Sequence, residues 1–65
     1  MEIISKKIRI SRLEKDYNQE YMAEELGISQ SAYSKIERGE TEITVSQLRK
    51  IATALGLTLL DLIEK

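Results

Sequence analysis

Gln30, Ser31, Ser34, Lys35 and Arg38 recur at spacings that place all five on one side of an α-helix, while Tyr33 and Ile36 fall on the other. An amide, two hydroxyls and two cations in that arrangement exchange hydrogen bonds and attract anions. They do no nucleophilic chemistry unless a base stands beside them. The chain contains no histidine and no cysteine. Its serines therefore lack an imidazole partner, thiolate and imidazole metal sites are ruled out, and no disulfide framework forms. The carboxylates are scattered along amphipathic segments and make no acid/base constellation. This chemistry suits a binding protein, not an enzyme, and it calls for no metal and no cofactor.

The elements that must hold that face are marked out by unusually regular punctuation. Proline is absent, and each of the three glycines, Gly27, Gly39 and Gly56, closes an apolar-periodic segment as a helix stop. Asn18, Ser29, Thr44 and Thr58 stand immediately before the segments that follow, as residues able to cap orphan N–H groups, and Thr44 with Gln47 spells a capping box. Helices are expected over about 3–15, 19–26, 30–38, 45–55 and 59–64. Ile4, Ile8 and Leu13 mark the inner side of the first, and Leu48, Ile51, Ala52 and Leu55 that of the fourth. Between them, Met22, Leu26, Ile28, Tyr33 and Ile36 face inward from two helices joined through Gly27, with Ala23 small enough for close approach. A short glycine-containing turn between two such helices is the mark of a helix-turn-helix. Tyr17 and Met22 are expected in the core, Tyr33 in the core with its hydroxyl at the rim, and Tyr21 outside.

At 65 residues the sequence fits one domain, residues 1–65. The longest apolar stretch, Leu57 to Ile63, is far short of a bilayer span, and Glu2, Lys6, Lys7 and Arg9 interrupt any signal-like apolar start. A soluble, cytoplasmic protein with no membrane partner is expected. Ten Lys and Arg against eleven Asp and Glu give a net charge of -1, which by itself speaks against a polyanionic partner. Distribution matters more than the sum. Lys6, Lys7, Arg9, Arg12, Lys15, Lys35 and Arg38 precede residue 39, leaving Arg49, Lys50 and Lys65 beyond it, so an anion-facing surface should come from the first three helices.

The run from Gln19 to Gly39, QEYMAEELGISQSAYSKIERG, resembles the phage repressor/Cro-type (Xre) helix-turn-helix family. The resemblance extends to Arg12 upstream and to Leu48, Ile51, Ala52, Ala54, Leu55 and Gly56 downstream. It implies a compact all-α, five-helix, lambda-repressor-like domain that binds double-stranded DNA. In such motifs the second helix lies in the major groove with its first residues at the base edges. Gln30 has the groups to pair with adenine N6 and N7, Ser31 and Ser34 to meet several edges, and Lys35 to reach guanine O6 or N7. The resemblance assigns base reading to Gln30, Ser31 and Lys35, and backbone contacts to Asn18 and Gln19. Arg38 and Thr41 are added as phosphate contacts. Outside this motif the same polar face would read as merely solvated, and Asn18 as a plain cap.

The resemblance also implies an ion pair between Arg12 and Glu37, scaffold for the recognition helix. Glu40 and Glu42 depart from the family, whose loop there is often basic, and they weaken nonspecific affinity. Dimerisation is the natural remedy. Leu59 and Leu62 match core positions, whereas Leu60 stands where a polar residue is usual, with Ile63 one turn on, so a homodimer seam on Leu60 and Ile63 is expected. Incidental exposure at a loose C-terminal cap is the plainer alternative. Three roles remain open: a repressor or activator, an antitoxin with a toxin protein as partner, and a protein-interaction module that has lost DNA binding. Family membership alone spans phage repressors, restriction-modification controllers, antitoxins and general regulators.

Overall fold

Asn18, Ser29, Thr44 and Thr58 each accept a hydrogen bond from the backbone N–H three residues ahead, at 2.8 to 3.1 Å, and each of these bonds starts a helix. In the computed structural model, which describes residues 2–63 and side chains from residue 4 onward, the elements run α1 (Glu2–Glu14), α2 (Gln19–Leu26), α3 (Gln30–Glu37), α4 (Val45–Leu55) and α5 (Leu59–Ile63). The architecture is all-helical among the described residues; the expected last residue of α5, 64, lies outside them. Thr44 and Gln47 complete their capping box in both directions. Thr58 and Asp61 repeat the reciprocal arrangement at α5, with the carboxylate accepting from the Thr58 N–H at 2.9 Å. That bond to the backbone holds the Asp61 pKa below its ordinary value.

Gly27 ends α2 in the left-handed region, at φ +71°, which is what lets the chain turn into α3 after two residues. The first helix ends the same way without a glycine. Asp16 takes φ +59°, and the Tyr17 N–H reaches back to the Arg12 carbonyl at 3.2 Å. Nothing in the glycine pattern marked this stop.

α2 packs on α3 and α4, while α1 lies across α3, α4 and α5. The core they enclose contains Ile8, Met22, Leu26, Tyr33, Ile36, Ile51, Leu55 and Leu62 at its centre. Ile4, Tyr17, Ile28 and Leu59 are only partly buried against it. Ile43 is buried too and anchors the loop between α3 and α4, so the flanking Glu42 and Thr44 turn outward.

Two expectations fail on α1 and α3. Leu13 is 56% exposed, because the inner stripe of α1 runs through residues 5, 8 and 12, and its end positions belong to Ser5 and Arg12. Polar residues hold places that apolar spacing assigned to a leucine. The Tyr33 hydroxyl is not at the rim; the whole side chain is buried. Arg12 and Glu37, buried beside it, give the interior a polar lining that the hydroxyl can approach.

Candidate nucleic-acid interface

The candidate surface is built outward from a buried ion pair. Arg12 Nε stands 2.6 Å from Glu37 Oε2 and Nη2 stands 3.2 Å from Oε1, a two-point contact that joins α1 to the end of α3. Arg12 Nη1 also donates to the Tyr17 carbonyl at 2.7 Å, tying the α1–α2 connection to the same guanidinium. Burial pushes the Glu37 pKa up, but hydrogen bonds led by that from Arg12 outweigh it and hold the carboxyl below the usual range. Arg12 is raised correspondingly, chiefly by its bond to Glu37. Burial, followed by the hydrogen-bonding influence and then the charge of the adjacent Glu37, raises the Tyr33 phenol far above its ordinary value. Among the described residues the hydroxyl makes no hydrogen bond of good geometry, though Glu37 and Arg12 lie beside it.

Glu37 Oε1 accepts a further bond from Gln19 Nε2 at 3.1 Å, and Gln19 Oε1 in turn accepts from the Ser34 hydroxyl at 2.6 Å. The first residue of α2 is thus locked to two residues of α3. Gln19 and Ser34, assigned above to backbone and base, belong to one internal network and are each partly accessible.

Gln30, Ser31 and Lys35 are exposed on the outer side of α3. Ser31 and Lys35 line a cleft of about 360 Å³ with Thr41, Gln47, Ile28 and Ile36, which brings the α3–α4 loop and the start of α4 alongside α3. Asn18 Oδ1 is taken by the Tyr21 N–H, leaving its Nδ2 group to donate elsewhere. Arg38 is exposed but engaged: its Nε lies 2.7 Å from Glu40 Oε2 and its Nη2 3.3 Å from Oε1. The sequence showed two carboxylates in that loop; it did not show that one of them occupies the arginine. Leu60 and Ile63 are 57% and 50% exposed, next to a fully buried Leu62. Tyr21 is outside as expected, its ring tilted on that of Tyr17 at 4.6 Å between centroids.

A capped α2, a left-handed glycine, and an α3 braced from beneath with a polar outer side together define a helix-turn-helix unit. The Helix-turn-helix family matches residues 8–62, and the chain belongs to it, as a member of the Cro/Xre type, a family of DNA-binding transcriptional regulators. It is similar to Control protein C.MunI of a Mycoplasma species, 37% identical over 57 residues that cover 86% of this chain and 77% of that one. It is also similar to a hypothetical transcription factor of Neisseria meningitidis serogroup B, 30% identical over 94% of this chain; the match spans 58% of that relative. The crystal structure of the hypothetical transcription factor NHTF from Neisseria superposes with a TM-score of 0.88 at 28% identity, covering 97% of this chain and 72% of that one. Among the described residues no helix is long and apolar enough to cross a membrane.

Proposed function

We propose that this protein regulates transcription as a homodimer, each copy laying α3 in the major groove of a two-half-site operator. The observation that carries this is the division of α3. Its inner side is fixed by Arg12, Glu37 and Gln19, so that exposed Gln30, Ser31 and Lys35 stand on a rigid support. Rigid placement is what base readout needs, because a side chain discriminates bases only where its reach is set. Asn18, Arg38 and Thr41 flank that face and serve the sugar-phosphate backbone, which positions the protein without carrying sequence information, while Gln19, its amide committed to Glu37 and Ser34, braces α3. A control protein and a transcription factor among its relatives agree with a regulatory role.

A single recognition helix covers only a few base pairs, and two half-sites one turn apart, about 34 to 36 Å, require a pair. Exposed Leu60 and Ile63 supply the self-complementary seam, since Leu59 and Leu62 are turned to the domain's own core. The test is selection from a randomised duplex pool with purified protein, followed by salt titration. Four to six phosphate contacts per dimer give a log-log slope near about -4 to -5. Gln30→Ala and Lys35→Ala should each weaken the selected duplex by about 1 to 3 kcal/mol with unchanged melting. If no duplex is enriched even at low salt, the protein is an interaction module and this assignment is wrong.

A further inference from the structure

The network beneath α3 has a direction. Gln19 Nε2 faces the Glu37 carboxylate, which can only accept, so the amide orientation is fixed: the reverse would set two acceptors against each other. Gln19 Oε1 must then face Ser34, and an amide oxygen can only accept. The single proton of the Ser34 hydroxyl is therefore committed at 2.6 Å to Gln19, and what remains on its accessible side is lone pairs. An isolated serine reads any base edge, because it donates or accepts at will. This one does not have that freedom.

We infer that the Arg12–Glu37–Gln19–Ser34 chain makes Ser34 an acceptor-only reader, so that it recognises an exocyclic amino group in the major groove, adenine N6 or cytosine N4, and is indifferent to guanine O6, N7 and thymine O4. The inference rests on the DNA-binding role proposed above and adds to it the chemical group that one position selects. Gln19 acts here as a positioning residue: it sets the specificity of a contact made by another side chain. The ion pair acts one step further back, since a protonated or absent Glu37 no longer dictates which end of the Gln19 amide faces Ser34.

The experiment uses the duplex enriched by the parent protein and base analogues that delete one group at a time. Ser34→Ala first locates the base pair whose preference it loses. At that pair, purine in place of adenine, or 2-pyrimidinone in place of cytosine, removes the amino group; 7-deazaadenine or 7-deazaguanine removes the N7 acceptor alone. The parent should lose about three- to tenfold in affinity on amino deletion, Ser34→Ala should show no additional loss, and N7 deletion should be uncoupled from Ser34. Gln19→Met, checked for parent-like melting, releases the hydroxyl proton, and sensitivity to N7 or keto deletion should then appear at the same pair. Coupling of Ser34 to an acceptor atom in the parent, an unaltered profile in folded Gln19→Met, or a Ser34→Ala that loses no position would each overturn the inference while leaving DNA binding standing. Failure to enrich any duplex would remove the DNA-binding role itself, and this assignment with it.

Discussion

Replacing Arg12 with methionine keeps most of the side-chain volume and strands Glu37. Glu37 is 4% exposed and would keep the Gln19 amide, with the Tyr33 hydroxyl nearby, in place of a cation, while the Tyr17 carbonyl also loses its 2.7 Å partner. Breaking one side of a buried pair costs about 3 to 5 kcal/mol, against roughly 3 to 10 kcal/mol of total stability for a domain of this size. At about 4 to 8 °C per kcal/mol, melting should fall by at least about 12 °C at pH 7. The pH dependence identifies the cause. In the parent, Glu37 sits below its unfolded pKa, so its contribution is full above that value and fades as pH falls through the lower, folded one. In Arg12→Met, burial acts with its main opponent removed and raises Glu37, so the penalty is present at neutral pH, relaxes as pH falls through the raised folded pKa, and is gone below the unfolded value. The gap between parent and variant should therefore narrow on acidification, and Arg12→Met/Glu37→Met should recover most of the loss at pH 7. Calorimetric or circular-dichroism melts from pH 3.5 to 8 decide it. A gap that is constant with pH, or a double variant no more stable than the single one, refutes the stranded-charge account.

Leu60→Glu should keep parent-like helicity, abolish dimers in light scattering, and weaken binding to a two-half-site duplex far more than to one half-site; a dimeric variant places the seam elsewhere. Asp16→Gly relieves a left-handed residue that carries a Cβ and should raise stability by up to about 1 kcal/mol in thermal melts, whereas a loss would mean the carboxylate has a use there. Glu40→Gln frees Arg38 from its exposed carboxylate and should raise affinity for duplex about three- to tenfold with a steeper salt slope. No change in Arg38→Ala/Glu40→Gln relative to Arg38→Ala is expected if the arginine mediates the effect.

Helix positions were legible because their signals are local: a capping side chain and the N–H it serves are three residues apart, and Gly27 and Gly56 have no side chain to hinder a left-handed turn. The stop at Asp16 escaped because an aspartate in that conformation looks like any other aspartate in a row of letters. Leu13 was misplaced for a related reason: apolar periodicity assumes that the inner stripe is apolar, and Ser5 and Arg12 occupy it instead. Arg12 and Glu37 are 25 residues apart, and only resemblance to a family suggested the pair; no spacing rule connects them. The bonds from Gln19 to Glu37 and Ser34 span 18 and 15 residues and had no signal at all. Both side chains were assigned to an external partner because their bonds to each other depend on how two helices cross.

The network also sorts the positions of α3 by how freely they can drift. Gln30, Ser31 and Lys35 project from the helix without taking part in the hydrogen bonds that brace it, so exchanging them leaves the support intact and, on the proposed function, changes what is recognised. Position 34 is different: a new side chain there must also satisfy Gln19, and position 37 must satisfy an arginine from another helix. On the proposed reading, a lineage adopting a new operator takes steps at 30, 31 and 35 that leave the brace untouched, whereas a step at 34 also alters the bond to Gln19 and a step at 37 strands a buried arginine.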